Sequence, residues 1–353
     1  MSKPSVLLLG STGFLGGTLL VHLQKAGLYE VSVTSRNDSQ LQTLMQYGAK
    51  VLKLSFDDAD KIQDTVFAHD AVVNAAPDNS PGALQAILKG IQKRIDAGKS
   101  SVYIHTSGAG VVCDLAGGNQ STDLIFRDDD PEHFERNITP GSIHRPMDVI
   151  VRDQAKKWSA IDDGKTQVRI MFPPLIFGKG EGPFKDYSFQ IPGMVRAGMA
   201  EGKPIIHGQG KNVTGFINVS DLADAYLILL SSLLKNGTSG ATHPDDIYLF
   251  ADSGHEVAFG EIARKVGQDL KARGKVESAT PVPLPEDTLQ KHFLFLRKDL
   301  FGGDRDCQLI GGNVRTRAIK MQKLGWKPKQ STVQELLSSI QRDVDVVIQE
   351  STR

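Results

Sequence analysis

Val6-Leu7-Leu8-Leu9-Gly10-Ser11-Thr12-Gly13-Phe14-Leu15-Gly16 decides how this chain is read. The apolar run Val6–Leu9 is short and ends on glycine, as a buried parallel strand does. From Phe14 to Lys25 the apolar residues Phe14, Leu15, Leu19, Leu20 and Leu23 recur at helical spacing. A strand, a glycine turn and a helix in that order are the setting in which a glycine triplet signals a dinucleotide site. Gly10 permits the tight turn. Gly13 lets backbone approach a pyrophosphate, and Gly16 lets the helix pack closely on the strand. Thr12, Phe14 and Leu15 complete the turn and the start of the helix, whose N-terminus offers N–H groups and a positive dipole end to phosphate.

Working outward, Glu30–Ser35 reads as a second strand, followed by Arg36. A carboxylate there accepts from a ribose 2′-OH. Ser35 and Arg36 suit a 2′-phosphate instead, so NADP is expected ahead of NAD, against the alternative of a solvated arginine. Strands are expected at Lys50–Leu54, Ala71–Asn74, Ser101–Thr106 and Gln167–Met171. Helices are expected at Ser39–Tyr47, Ala59–Phe67, Pro81–Ala97 and Ile143–Ile161. This alternation predicts an α/β fold, a Rossmann-type doubly wound parallel sheet. Asp57 is placed to touch an adenine edge or to cap the next helix. Asn74-Ala75-Ala76 supply small residues at a strand end where a nucleotide would pass.

The segment that follows Ser107-Gly108-Ala109-Gly110, to about Gly141, is irregular, a candidate lid, and its Asp128-Asp129-Asp130 triplet reads as a solvated face. Further on, helices are expected at Ile191–Ala200, Glu256–Arg273, Glu286–Leu300 and Arg315–Leu324, and strands at Pro204–His207, Gly215–Val219 and Ile247–Ala251. Thr332 to Glu335 forms a capping box before a last amphipathic helix. Residues 1–178 are expected to form the dinucleotide-binding domain, with 214–251 returning to it, and 179–353 a smaller, mainly helical C-terminal lobe that binds substrate.

The 353 residues carry 41 basic and 41 acidic side chains, a balance that gives no case for nucleic acid or an anionic membrane as partner. Cys113 and Cys307 are the two cysteines, too few for a disulfide framework or a zinc site, so no metal is expected and a reducing, cytoplasmic location is. The chain begins with Met-Ser-Lys-Pro directly before the first strand, and its later apolar run, Ala225–Leu234, is short for a span. The expected partners are a small-molecule substrate and a second copy of the chain in a homodimer.

Together these marks resemble the extended short-chain dehydrogenase/reductase family, its NAD-dependent epimerase/dehydratase-like branch, over nearly the whole chain. The matching marks are Gly10/Gly13/Gly16, Thr106-Ser107 at the end of the fifth strand, and Pro173-Pro174-Leu175-Ile176-Phe177-Gly178. Gly208-Gln-Gly210 before Phe216-Ile-Asn-Val-Ser-Asp221, and Leu324-Gly325-Trp326-Lys327-Pro328, complete them. By position the resemblance implies that Ser107 binds the reacting oxygen, and that Thr106, Pro174 and Leu175 lie along the nicotinamide.

The family's Tyr-x-x-x-Lys pair does not occur between Ser107 and Val168. His144-Arg-Pro-Met-Asp148 stands there with the same spacing, as in an atypical, fungal-type member. His144 is the expected proton donor, with Asp148 stabilising its charged form. The alternatives are a His144 that only caps the helix or pairs with the Asp128–Asp130 loop, and Tyr187 as donor. Phe177, Phe184, Tyr187 and Phe189 give the substrate side an apolar lining or are lobe core, and no Arg/Lys cluster suggests a sugar diphosphate. Two functions stay open: an NADP-dependent oxidoreductase or isomerase for a small, largely apolar carbonyl or hydroxyl compound, and a non-catalytic NAD(P)-binding regulator or sensor.

Overall fold

The computed structural model describes residues 2–76, 80–139, 141–162, 164–235, 244–293 and 308–352. Strands β1 (Ser5–Leu9), β2 (Glu30–Ser35), β3 (Lys50–Lys53), β4 (Ala71–Asn74) and β5 (Ser101–Thr106) alternate with helices α1 (Phe14–Ala26), α2 (Asp38–Met45), α3 (Ala59–Phe67) and α4 (Pro81–Asp96). Helices α5 (Pro131–Asn137) and α6 (Arg145–Ile161) then precede β6 (Thr166–Phe172) and β7 (Leu175–Phe177). Next come α7 (Gln190–Ala200), β8 (Val213–Asn218), α8 (Val219–Lys235), β9 (Tyr248–Phe250), β10 (Glu256–Ala258), α9 (Phe259–Ala272), α10 (Glu286–Phe293) and, last, α11 (Val333–Ser351). The expected helix 286–300 is described as far as Phe293; its remainder, and Cys307, lie outside the described residues.

The main sheet has seven parallel strands in the order β9-β6-β5-β4-β1-β2-β3. Helices cover both faces, which is why Val6–Leu9 can be apolar without alternation: each is at most 1% exposed. The chain leaves β1 toward β2 and β3, then crosses back to β4 on the other side of β1. The crevice for a ligand at the carboxyl ends of the strands therefore opens between β1 and β4.

A second hydrophobic cluster joins β7, β8, α7, α9 and α11 through Leu175, Phe177, Ile191, Phe216, Ile262 and Ile340. Helix α11 starts at the expected capping box, with the Thr332 side chain accepting from Glu335 N–H and the Glu335 carboxylate accepting in return.

Three readings change. Glu256–Ala258 is a strand rather than the first turn of a helix, paired antiparallel with β8. Its three residues alternate, with Val257 in the core and Glu256 held by Arg315 (2.8 Å) and Arg317 (2.7 Å). Thr316–Arg317 is likewise a short strand, paired with Phe126–Arg127 before a helix at Ile319–Lys323. The acidic triplet is no uniform solvated face. Asp130 caps α5 and Asp129 pairs with Arg127, while Asp128 is buried and accepts N–H groups from Phe250 (3.1 Å) and Lys320 (3.0 Å). Burial pushes the Asp128 carboxyl up to about 6 despite those bonds.

Two glycines of α4 test the packing. A β-carbon on Gly90 would lie 2.7 Å from Gln63 O and from Val66 Cβ of α3, whereas one on Gly82 would meet nothing within 4 Å. Gly90→Ala is expected to destabilise by about 1–3 kcal/mol. Gly82→Ala should stabilise by about 0.5–1 kcal/mol, as glycine is a poor helix former. Urea unfolding of both variants checks this, and equal effects would refute the close α3–α4 approach.

Asp343, in α11, is 2% exposed, and its Oδ2 has no hydrogen-bond partner. Burial pushes its carboxyl up to about 7, above the value near 4 it has unfolded. Its contribution to stability is therefore complete below about pH 4 and is lost as pH rises through about 7. Asp343→Asn should stabilise by on the order of 2 kcal/mol at pH 8 and be nearly neutral at pH 4, as measured by thermal unfolding at both values.

Candidate functional site

Gly10 lies in the left-handed region, φ 84°. A β-carbon there would stand 2.5 Å from Ala76 N and 2.6 Å from the Ala75 carbonyl, so β1 and β4 end in backbone contact. On Gly16 it would stand 2.1 Å from Gly10 O, which brings α1 directly onto the turn. Gly13 differs: its missing β-carbon would meet only Gly10 O, at 3.3 Å. Gly13 is the N-cap of α1; no side chain caps this end and no acidic residue sits in the first turn. The unblocked, positive end of α1 fits a phosphate. Phe14 and Leu15 are buried in this turn, and Thr12 is half-buried.

At the end of β2, Ser35 is buried. Its hydroxyl donates to Gln40 Oε1 (2.6 Å) and accepts Asn37 N–H (3.1 Å), so it shapes the turn. Arg36 beside it is exposed. The cap of α3 is Asp58, which accepts Lys61 N–H at 3.1 Å, while Asp57 is exposed and turns back to Ser55. Asn74 is buried at the end of β4 and accepts Ala76 N–H at 3.3 Å, folding Asn74–Ala76 into a tight corner against Gly10.

Beyond β5, Thr106 shares a 2.7 Å hydrogen bond with Tyr226 of α8. Ser107 N–H bonds to Met171 O at 2.9 Å, and Ser107 Oγ donates to Asp148 Oδ2 at 3.1 Å. Asp148 is fully buried in the first turn of α6, and its N–H reaches His144 O at 3.2 Å. His144 is the N-cap of α6 and has φ 68°, a left-handed backbone that no other described non-glycine residue adopts. Such a backbone costs on the order of 1–3 kcal/mol and occurs mostly at functional sites. It brings the imidazole onto Gly108: a β-carbon on Gly108 would lie 2.8 Å from His144 Nε2. Ser107, His144 and Asp148 are thus gathered at the carboxyl edge of the sheet.

Pro174 and Leu175 are buried just past β6. Leu175 is 3% exposed in the second hydrophobic cluster, so only its backbone could face a cofactor. Phe177 is core, packed edge-on against Phe216. Phe184 and Phe189 are 38% and 41% exposed. Tyr187 donates its hydroxyl to Glu350 of α11, with Lys185 and Arg196 over its ring.

One feature was not expected from the sequence: residues 178–187 form a strap across α1. A β-carbon on Gly182 would lie 2.5 Å from Gly17 Cα, and one on Gly180 2.9 Å from the Phe14 ring. Glu181 N–H bonds to Thr18 Oγ1 at 3.1 Å. Its carboxylate takes Lys25 at 2.7 Å, His22 at 2.9 Å and Ser220 at 2.9 Å. Burial raises the Glu181 carboxyl, yet the bonds from Lys25, His22 and Ser220 hold it down at about 2. The only hint in the sequence was the density of glycine in Gly178-Lys-Gly180-Glu-Gly182.

Among the described residues, no group of His, Cys, Asp and Glu forms a metal site, and no helix is long and apolar enough to cross a membrane. No curated protein matches the chain. Among solved structures, the UDP-glucose 4-epimerase of Thermotoga maritima is 15% identical, with TM-score 0.60 over 99% of this chain and 100% of that one. The UDP-glucose 4-epimerase of Thermus thermophilus, solved with NAD, is 15% identical, with TM-score 0.61 over 98% and 99%. The dTDP-glucose 4,6-dehydratase of Bacillus anthracis str. Ames, also with NAD, is 15% identical, with TM-score 0.61 over 99% and 98%. Residues 10–164 match the family model described as NAD(P)H-binding, and the chain as a whole has the fold of these epimerases and dehydratases.

Proposed function

We propose that the chain is an NADP-dependent oxidoreductase or isomerase acting on a small, largely apolar carbonyl or hydroxyl compound. The observation that carries this reading is the gathering of Ser107, Asp148 and a strained His144 at the sheet edge that carries the glycine turn. A protein that only sensed nucleotide would need the turn but not this cluster. The enzymes that share the fold point the same way.

Gly10, Thr12, Gly13, Phe14, Leu15 and Gly16 would hold the pyrophosphate. Arg36, positioned by the Ser35 turn, would pair with the 2′-phosphate, and Asp57 would border the adenine. Asn74, Ala75 and Ala76 would line the ribose passage, and Thr106, Pro174 and Leu175 the nicotinamide side. When bound, the cofactor exchanges a hydride with the substrate. Ser107 holds the reacting oxygen, and His144 exchanges its proton. The exposed rings of Phe184 and Phe189 offer an apolar surface to the substrate. A cytoplasmic setting belongs to the proposal, in keeping with a chain whose two cysteines are too few for a disulfide framework.

NADPH consumption across a panel of small carbonyl compounds tests the reading against a non-catalytic sensor, which would bind NADPH without consuming it. Arg36→Ala is expected to weaken NADPH by ~10- to 100-fold and leave NADH unchanged, because one charge-assisted contact is lost. Titration of both cofactors checks this, and equal wild-type affinities would refute the role of Arg36.

His144→Phe should lower turnover by at least ~100-fold while cofactor affinity holds. In the reductive direction, NADPH with a carbonyl compound, wild-type activity should fall on the alkaline side as the imidazolium loses its proton. Near-normal turnover in His144→Phe would remove the residue from the mechanism.

A further inference from the structure

We infer that Asp148 sets the hydrogen-bond polarity of Ser107, so that the site takes a secondary alcohol in preference to the matching ketone. The inference rests on the oxidoreductase reading above and names its substrate class. A serine hydroxyl has one proton to donate and two lone pairs to receive with. Here the proton is directed to Asp148 Oδ2, at 3.1 Å. What Ser107 presents to a ligand is then an acceptor. A hydroxyl substrate satisfies it by donating, whereas a carbonyl oxygen can only face it lone pair to lone pair.

Three features of the structure keep Asp148 in the accepting role. It lies in the first turn of α6, where the helix favours negative charge. It is fully buried, so water does not compete for the Ser107 proton. Ser107 is itself held by its N–H to Met171 O at 2.9 Å, and with the residue 8% exposed its hydroxyl has little freedom to turn elsewhere. His144, whose Nε2 lies 2.8 Å from where a Gly108 β-carbon would stand, supplies the complementary donor, so an alcohol oxygen that donates to Ser107 can accept from the imidazolium. No bond is made or broken in this recognition. Asp148 acts through Ser107 and is therefore a positioning residue.

The inference is tested by binding, with no turnover required. Matched pairs of one carbon skeleton (cyclohexanol and cyclohexanone, menthol and menthone, borneol and camphor) are titrated by ligand-observed NMR. The complexes are ones that cannot react, alcohol with NADPH and ketone with NADP+. In wild type the alcohol should bind ~3- to 10-fold more tightly than the ketone, the worth of one hydrogen bond. Asp148→Leu removes the acceptor and frees the Ser107 proton to point outward, so the ratio should swing toward the ketone by a similar factor. Ser107→Ala should bring the ratio to about one, and it serves if Asp148→Leu fails to fold by circular dichroism. A wild-type preference for the ketone, or a ratio that both variants leave unchanged, overturns the polarity and leaves the oxidoreductase reading standing. A wild type that binds NADPH but no member of any pair overturns that reading and this inference together.

Discussion

Three places where backbone meets backbone with no room for a β-carbon determine the rest of the molecule. Gly10 touches the Ala75–Ala76 peptide, Gly16 touches Gly10 O, and Gly17 touches Gly182. The first closes β1 onto β4 where the strand order reverses. The second sets α1 down on the turn so that its N-terminus opens toward the crevice. The third seats the strap on the same helix. Steric exclusion of this kind is unforgiving, because the opposing atoms are backbone and cannot rotate away. Gly13, the one glycine of the triplet with no such neighbour beyond Gly10 O, is also the one whose bareness the packing does not demand.

Buried carboxylates do a second job, joining segments far apart in sequence. Asp221, in the first turn of α8, accepts Lys329 N–H at 2.9 Å and Gln330 N–H at 2.7 Å, and Trp326 Nε1 donates to its carbonyl at 3.0 Å. Two of the marks behind the family resemblance, Ser220-Asp221-Leu222-Ala223 and Leu324-Gly325-Trp326-Lys327-Pro328, are therefore two halves of one contact. Asp128 acts in the same way, receiving the N–H groups of Phe250 and Lys320, and the half-buried Asp114 receives that of Asn313. Each such bond gives a backbone N–H of a distant segment its partner.

What could be read from the sequence follows from the range of the forces involved. Strand β1 is a continuous apolar run, β2 and β5 are rich in β-branched residues, and β2, β4 and β5 fall where they were expected. The glycine turn is equally local. Strand β10 was not legible, because three alternating residues carry no signal until β8 lies beside them. Nor was the cap of α3, since Asp57 and Asp58 are equally good caps on paper. At the site, the i, i+4 spacing of His144 and Asp148 could be read, but the Ser107 hydroxyl that takes up the Asp148 carboxylate comes from 41 residues earlier. The left-handed backbone of His144 has no local signature at all. Phe177 illustrates the converse error. An aromatic beside a glycine-rich loop looks available to a ligand until the sheet of β7 and β8 places it under Phe216.

The strap shows how packing and charge divide the work where α1, α8 and α11 meet it. Its ion pairs include an exposed lysine, Lys25, and such pairs contribute little on their own. His22 is different: its side chain is 11% exposed and lies 2.9 Å from both Glu181 and Asp224. At the other end Asp186 pairs with Arg342 and Tyr187 donates to Glu350, both on α11. Helices α1, α8 and α11 are thereby tied to one ten-residue segment whose position is already dictated by the glycine contacts. The charges orient what the missing β-carbons allow to approach. Phe14 lies against the strap, at Gly180, and opens α1 directly after the glycine turn, so strap and turn share one buried side chain.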